Sequence, residues 1–268
     1  MTMRMTSFAS GSSGNCIYVG SDNTHILIDT GIAYKRIEAG LNDIGLKGQD
    51  LHGIFVTHEH SDHVCGLGVL ARKLGIPMYG SQGTIEALKQ CKSLGKVDES
   101  LYRIIKPDED FILGDLTIKP FSNTHDAAQP LGYRVEQGHR SVAVCTDLGN
   151  YSQYTVSKLQ GLDAILLESN HDIRMLQVGP YPYALKQRVM GDYGHLSNEA
   201  CGRLLCDILH DDMKHIMLGH LSKENNLPEL AYESVRLEIT MGDNPYDASD
   251  FPITVAKRDV PSQLIYID

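Results

Sequence analysis

Short apolar runs bounded by turn residues recur along the chain, and they predict β-strands. In the first half these runs are CIYVG, HILIDTG, GIFVTH, IPMYG and YRIIKP. In the second half they are FILGDLTIKPFSNTHD, GYRVEQGH, RSVAVCTD, AILLES, HIMLGH, FPITVA and SQLIYI. The pattern therefore predicts two strand-rich halves, each able to form a β-sheet.

Between the strands, apolar residues recur every three or four positions, which is typical of helices that pack by one face. This spacing occurs in AYKRIEAGLNDIG, DHVCGLGVLARKLG, SQGTIEALKQ and LPELAYESVRLEI. Residues 170–210 are also predicted to be mostly helical, with interruptions at Gly179-Pro180 and Gly191. We expect an α/β fold in which two sheets pack face to face with helices outside, as one domain over residues 1–268.

The composition is that of a globular protein, and it limits the partners. The formal net charge is −10, so the chain lacks the broad basic surface of proteins that coat DNA regardless of sequence. A local basic rim is still compatible with that charge. No apolar run is long enough to predict a membrane span. The N-terminus has no signal-peptide core and the six cysteines form no Cys-x-x-Cys pair, so we expect a cytoplasmic protein with reduced thiols.

The segment FVTHEHSDHVCG places three histidines and two acids directly after a predicted buried strand. His58 and His60 are two residues apart, so in extended backbone their side chains point to the same side. Asp62 and His63 follow at the predicted start of a helix, where they are better placed for a second ion. Neutral imidazoles and carboxylates suit zinc, manganese or iron. This segment therefore predicts part of a metal site.

Three further residues could complete such a site, because each follows a predicted strand. They are His125 in FSNTHD, Asp147 in VAVCTDLG and His220 in HIMLGHLS. Taken singly, each has an ordinary structural alternative: a loop residue, a helix N-cap or a partly buried histidine. As a set at converging strand ends, they predict the missing metal ligands.

The order H-x-H-x-D-H, then His, Asp and His, each closing a strand, resembles the metallo-β-lactamase superfamily over nearly the whole chain. The resemblance implies a four-layered αβ/βα sandwich of two mixed β-sheets and two divalent ions (Zn, Mn or Fe). It implies that His58, His60 and His125 bind one ion, that Asp62, His63 and His220 bind the other, and that Asp147 bridges them. A carboxylate at residue 147, with Cys145 two residues away, resembles the nuclease, phosphodiesterase and glyoxalase branches rather than true β-lactamases.

Four other motifs resemble the YycJ type of this superfamily, also called VicX or WalJ. They are SGSSGN at residues 10–15, LLESNHD at 166–172, YPYALKQRVMGDYGHLSNEA at 181–200 and GHLSKENN at 219–226. The resemblance implies a cytoplasmic 5′-to-3′ exodeoxyribonuclease that acts on DNA 5′ ends with a metal-bridging hydroxide as nucleophile. A functional link to a cell-wall two-component system is implied by this resemblance only.

Four residues are candidates for catalysis. Asp62 could both bind an ion and orient the nucleophile. His195, which resembles the histidine of a G-H-S-T segment in RNase Z, is the first choice for protonating the leaving oxygen. His171 could be a second acid, a phosphate donor or an additional metal contact. Glu168 could orient His171 or His195, although a structural role fits it equally well.

Three residues are candidates for substrate contacts. Ser13 and Asn15 could bind a phosphate, although SGSSGN is also compatible with a tight turn supported by its glycines. Ser197 could touch substrate or only cap a helix. Tyr181, Tyr183 and Tyr193 could stack bases or simply pack.

Three other functions stay open. A phosphodiesterase of small cyclic phosphates fits the acidic charge. A thioester hydrolase of the glyoxalase type would need a C-terminal helical module, whereas the tail is predicted to form strands. A non-catalytic metal-bound regulator would not need the complete ligand set.

Overall fold

The computed structural model describes residues 2–268, and these residues contain two seven-stranded mixed sheets. The first sheet has the order β14-β1-β2-β3-β4-β5-β6. Its strands are β1 (Met3–Ala9), β2 (Cys16–Gly20), β3 (His25–Ile28), β4 (Gly53–Phe55), β5 (Met78–Gly80), β6 (Tyr102–Ile104) and β14 (Ile265–Ile267). The strands from β3 to β6 are parallel, and β1 is antiparallel to both of its neighbours.

The second sheet has the order β13-β12-β11-β10-β9-β8-β7. Its strands are β7 (Phe111–Leu113), β8 (Leu116–Ser122), β9 (Leu131–Gln137), β10 (Arg140–Cys145), β11 (Ala164–Glu168), β12 (His215–Gly219) and β13 (Ile253–Val255). The strands from β7 to β10 form an antiparallel meander, and those from β10 to β13 are parallel.

Helices connect the parallel strands. In the described residues they are α1 (Tyr34–Asp43), α2 (Ser61–Val64), α3 (Leu67–Leu74), α4 (Gln82–Gln90), α5 (Gln153–Leu159), α6 (Ile173–Val178), α7 (Tyr183–Met190), α8 (Asn198–Ile208) and α9 (Pro228–Met241). None of these helices is long and apolar enough to cross a membrane.

Three apolar cores lie between four layers. The central core joins the two sheets, with Ile17 and Phe55 from the first and Tyr133 from the second. Two outer cores join α1, α3 and α4 to the first sheet and α5, α8 and α9 to the second. In β2, successive side chains alternate between the central core (Ile17) and the helices (Tyr18), so both faces are covered. This explains why the strands are continuous apolar runs, and it confirms the predicted sandwich.

Parallel pairing brings the carboxyl ends of several strands to one edge of each sheet. In the second sheet, β10, β11 and β12 are parallel neighbours, and β8 runs in the same direction as β10. Chain segments leaving these strands therefore emerge side by side. In the first sheet, β3 and β4 are likewise parallel. The seven candidate metal ligands all follow strands that end at these edges.

Three details differ from the sequence prediction. The strand β1 was not predicted, because its sequence MRMTSFA mixes polar and apolar residues. The helix α5 was also missed. The single helix predicted over residues 62–75 is divided into α2 and α3 at Gly66, where a Cβ atom would lie 2.1 Å from the Ile32 carbonyl oxygen. The Gly66 N–H donates to the Thr30 carbonyl at 2.9 Å instead of to a carbonyl one turn earlier, so one continuous helix does not form there.

Candidate metal centre

The loop after β4 and the loop after β8 bring three histidines together. His58, His60 and His125 each offer a ring nitrogen, and these atoms all lie within 4.8 Å of one another. His125 Nε2 is 3.3 Å from His60 Nδ1. His58 is fully buried, and His125 is nearly so. These are the three residues expected to form the first metal-binding set.

A second set lies beside the first. Asp62 Oδ2 is 3.4 Å from His63 Nε2 and 3.4 Å from His220 Nε2. Ligand atoms bonded to a tetrahedral ion at 2.0–2.1 Å would be separated by about 3.4 Å. The structure therefore brings Asp62, His63 and His220 together at a spacing that fits one divalent ion.

Asp147 touches both sets. Its Oδ1 atom is 3.6 Å from His125 Nε2, 3.6 Å from His220 Nε2 and 4.0 Å from His58 Nε2. Its Oδ2 atom is 3.2 Å from His63 Nε2. One carboxylate therefore reaches histidines of both sets, which is the arrangement that a bridging ligand requires.

Two buried atoms in the cluster have no hydrogen-bond partner. They are Nε2 of His58 and Oδ2 of Asp147. Unpaired buried polar atoms are costly, so each requires an explanation. Both atoms point into the cluster, and a lone pair on each would be satisfied by a cation. The donor set of imidazoles and carboxylates therefore fits divalent metal binding.

In four of these histidines, Nδ1 lies within hydrogen-bond distance of an oxygen acceptor. The acceptors are Asp29 Oδ2 for His63 (2.7 Å), Glu168 Oε1 for His220 (2.7 Å), the Gly194 carbonyl for His125 (2.9 Å) and Thr57 Oγ1 for His58 (3.0 Å). An acceptor on Nδ1 fixes the proton there and leaves a lone pair on Nε2. Metal-binding histidines in proteins are held in this way.

The backbone is strained at the same place. Four non-glycine residues among those described have positive φ, and three of them belong to this cluster: Asp29 (60°), Asp147 (56°) and His220 (55°). Such conformations cost about 1–3 kcal/mol each and concentrate at functional sites. Each lies in the first residues after a strand, where the chain must turn sharply to aim its side chain into the cluster.

A close backbone approach fixes the loop that carries Asp62. The Asn15 amide donates to the Asp62 carbonyl at 2.8 Å. At Gly31, a Cβ atom would lie 1.6 Å from the same carbonyl oxygen, so any larger residue would displace it. The SGSSGN loop and Gly31 therefore set the position of Asp62 from the side of the first sheet.

Burial and charge act against each other in the cluster. Burial alone would raise the pKa of Asp147, but His220, His63 and His58 hold it well below its usual range. Asp62 behaves similarly: burial raises its pKa, and His63 and His220 lower it further than burial raises it. Conversely, burial lowers the pKa of His220, and Asp147, Asp62 and Glu168 raise it to about 10. The carboxylates therefore stay ionised and attract cations.

Glu168 links the cluster to His195. It is fully buried, and its Oε1 accepts from His195 Nδ1 (2.9 Å) as well as from His220. Its Oε2 accepts from the backbone N–H groups of Leu148 and Leu196. Burial raises the Glu168 pKa, but His195 and His220 lower it to about 2. Of the two histidines that Glu168 was expected to orient, the structure places His195, and not His171, in contact with it.

His171 lies near His195, with which it lines a small surface pocket, and outside the candidate metal groups formed by the described residues. It is 2% exposed, and its Nδ1 has no hydrogen-bond partner. Burial lowers its pKa to about 4, so it is neutral at pH 7 and a poor proton donor. The expectation of an additional metal contact at His171 is therefore not supported by the geometry.

Two of the three expected substrate contacts are used inside the protein. Asn15 is fully buried, and its Nδ2 lies 3.2 Å from His63 Nε2, so it braces the metal loop instead of facing a phosphate. Ser197 Oγ accepts from the Ala200 amide and caps α8, so its side chain has a structural role. Ser13 is exposed but does not line the cavity beside His195, whereas Ser12 does.

That cavity adjoins His195 and is partly covered by α7. Its wall includes Ser12, Tyr181, Arg188 and Ser222. Arg188 also pairs with Asp126, the neighbour of His125, and this pair ties α7 to the metal-ligand loop. Tyr183 and Tyr193 are 78% and 64% exposed, so they are not packing residues. Tyr181 is thus the tyrosine of the three that borders the cavity.

Sequence reasoning missed the supporting residues Asp29 and Thr57. Asp29 accepts from His63, from the Thr57 hydroxyl and from the Thr57 amide, and it is fully buried. A signal was present, because Asp29 directly follows the apolar run HILI, as the site residues elsewhere follow strands. Thr57 carries no comparable signal.

Comparisons with known proteins agree with this geometry. A sequence profile described as "Beta-lactamase superfamily domain" matches residues 24–218. The chain is 40% identical to exodeoxyribonuclease YycJ of Bacillus anthracis, with 88% of each chain covered. It is 41% identical to exodeoxyribonuclease WalJ of Streptococcus pneumoniae (strain D39), with 88% and 87% covered.

Among solved structures, the metallo-β-lactamase fold protein YhfI of Bacillus subtilis superimposes with a TM-score of 0.69 at 17% identity, covering 99% of each chain. This likeness concerns the fold alone. The chain belongs to the metallo-β-lactamase superfamily and, within it, to the family of the exodeoxyribonucleases YycJ and WalJ.

The hydrogen bond between Asp29 and His63 generates a prediction about metal affinity. In the variant Asp29→Asn, the neutral amide no longer holds the His63 ring in its ligating orientation. We expect metal affinity to fall by about 10–100-fold, measured by competition with a chromophoric chelator.

Asp108→Asn is the matched control for that variant, because Asp108 also has a positive φ but pairs with Lys158 away from the cluster. It should retain wild-type affinity. Equal affinities for Asp29→Asn and the wild type would show that Asp29 does not support a metal ligand.

The lowered pKa of His171 generates a prediction about stability. Its folded pKa of about 4 is below the unfolded value of about 6.5, so unfolding takes up a proton between these pH values. The contribution of neutral His171 to the free energy of unfolding is therefore fully present above pH 6.5 and is lost as pH falls toward 4. Between pH 7 and pH 5, the wild type should lose about 2 kcal/mol more than His171→Asn does.

Urea unfolding of both proteins in excess chelator measures this difference without a contribution from metal release. Identical losses in the two proteins would mean that His171 is not buried in its neutral form.

Proposed function

We propose that this protein is a metal-dependent exodeoxyribonuclease that removes nucleotides from the 5′ ends of DNA. The observation that carries the proposal is the shared carboxylate of Asp147, which lies between two sets of metal-type ligands next to the Glu168–His195 pair. Family membership supports the same conclusion, because the relatives at 40–41% identity are named exodeoxyribonucleases.

Two ions fit this site better than one. His58, His60 and His125 form one set, and Asp62, His63 and His220 form the other, with Asp147 shared. The ligand types suit zinc, manganese and iron alike. When bound, divalent ions would lower the pKa of a water molecule and neutralise charge on the phosphoryl oxygens.

Asp62 and His195 would carry the proton chemistry. The Asp62 side chain is 25% exposed, so its carboxylate is able to accept a hydrogen bond from the attacking water while contributing to the ligand set. His195 is 20% exposed, and its Nδ1 is occupied by Glu168. Its Nε2 would therefore protonate the leaving sugar oxygen, with buried Glu168 stabilising the charged ring. In this scheme Glu168 is a positioning residue.

Substrate would approach over the cavity next to His195. Tyr181 offers an aromatic face for a base, and Ser12 offers a hydroxyl group. Because ligands come from loops of both sheets, we also propose that residues 1–268 act as one domain. A cytoplasmic location stays a prediction from the sequence and the family, and a link to a cell-wall two-component system stays a prediction from the family alone.

The direct test incubates metal-loaded protein with 3′-labelled DNA carrying a 5′-phosphate, with the same DNA carrying a 5′-hydroxyl, and with a small phosphodiester. We expect stepwise shortening of DNA from the 5′ end, with the label retained on the shortening products. Asp62→Asn should lower the rate to that of the chelated protein, whereas Asp110→Asn, an exposed control in an ion pair with Lys119, should not.

Cleavage of the small diester alone would instead support a small-molecule phosphodiesterase. Stable metal binding with no cleavage of any substrate would support a regulator and contradict the proposal.

The role of His195 predicts a dependence on the leaving group. In His195→Asn, the rate on DNA should fall by about 10²–10⁴-fold, because an alkoxide leaving group needs a proton. A p-nitrophenyl ester of thymidine 5′-phosphate should lose much less, because p-nitrophenolate leaves without protonation. Turnover numbers for the two substrates provide the measurement.

His139→Asn, in the exposed turn between β9 and β10, is the control and should match the wild type on both substrates. Equal losses on both substrates in His195→Asn would assign His195 to positioning instead of proton transfer.

A further inference from the structure

A second cavity opens at the next strand end along the same sheet edge. The strand β13 is a parallel neighbour of β12, so residues after Val255 emerge beside His220. The cavity has a volume of about 390 Å³. Its wall includes Ser10, Leu221, Lys223, Lys257 and Arg258. Ser10 connects it to the metal centre, because Ser10 Oγ accepts from the His220 amide at 2.8 Å.

The charge of this wall is entirely positive. Lys223, Lys257 and Arg258 contribute three cations, and the wall contains no carboxylate. Within residues 2–268, none of the three forms an ion pair with an acidic group. Three unpaired cations around one cavity repel one another, and in a chain of net charge −10 this local excess is unusual. An anionic ligand would remove the repulsion.

Arg258 is held in place with a free donor. Its Nη2 donates to the Leu221 carbonyl at 2.9 Å, which fixes the guanidinium group next to the metal-ligand strand. Its Nη1 is buried and has no hydrogen-bond partner. A Cβ atom at Gly11 would lie 2.7 Å from this Nη1, so the glycine makes room for the guanidinium group. Arg258 therefore places a fixed positive charge at the cavity wall.

The first turn of α9 borders the cavity but adds little net charge. The helix begins at Pro228, which has no N–H group, and the carboxylate of Glu229 in the same turn offsets the partial positive charge of the helix N-terminus. Apart from Ser10 and Asn226, the rest of the wall is apolar and includes Leu227 and Val255. A phosphate attached to a sugar and base suits such a mixed wall better than a free phosphate ion does.

We propose that this cavity binds a non-scissile backbone phosphate of the DNA strand that is being cleaved. This inference rests on the proposed nuclease function. Lys223 is three residues after His220, so their Cα atoms are at most about 11 Å apart. The cavity lacks the histidines and carboxylates of a metal site, so it binds the strand and does not cleave it. Lys223, Lys257 and Arg258 would set affinity for longer substrates.

The test uses the double variant Lys223→Gln/Lys257→Gln, because both side chains are exposed and their replacement leaves the Arg258 anchor in place. Steady-state cleavage of single-stranded oligonucleotides is measured at several salt concentrations. We expect a higher KM with little change in kcat. The slope of log(1/KM) against log[salt] should become shallower by about 0.7, since one phosphate contact to a single strand contributes about 0.7.

Lys92→Gln/Lys96→Gln removes the same charge from exposed lysines outside the cavity and should retain the wild-type slope. The charge-preserving variant Lys223→Arg/Lys257→Arg should also retain it. A wild-type slope in the Gln double variant, or an equal change in the Lys92/Lys96 control, would overturn the cavity proposal alone. Absence of DNA cleavage by the wild type would overturn the nuclease proposal, and this inference with it.

Discussion

The buried carboxylate of Asp147 is the constraint on which the site depends. It is 2% exposed, it reaches histidines of both ligand sets, and one of its oxygens has no hydrogen-bond partner. A buried negative charge is stable only with a compensating positive charge. Protonated histidines supply part of that charge in the protein alone, and divalent cations would supply it without a proton. The strained backbone at Asp147 shows that this position is held by the surrounding fold.

The fold serves this constraint by bringing strand ends from two sheets together. Loops of the first sheet provide Asp29, His58 and the Asp62–His63 turn, and loops of the second provide His125, Asp147 and His220. Glu168, at the end of β11, then joins the ligand His220 to His195 through one carboxylate oxygen. Because that oxygen is shared, the position of the candidate proton donor depends on the same buried network as the metal ligands. The basic cavity lies at the end of β13, which is the next strand of the second sheet after β12.

The sequence predicted the sheets and the clustering of the seven ligand candidates, because both follow simple rules. Apolar runs covered on both faces indicate buried strands, and polar residues directly after them meet at one edge. It did not predict β1, whose residues alternate irregularly, or the role of Asn15, which depends on a contact between distant loops. The partner of Glu168 was also left open, since only the fold decides which histidine faces it. Lys257 and Arg258 carry no signal in the sequence, and only the pairing of β13 with β12 places them near the metal-ligand strand.

The most direct measurement is a crystal structure of the metal-loaded protein with anomalous data collected at the absorption edge of the bound metal. We predict two anomalous peaks about 3.5–4 Å apart, with the Asp147 carboxylate between them. One peak should be surrounded by the first set of three ligands, and the other peak by the second set. A single peak, or two peaks that do not share Asp147, would contradict the account.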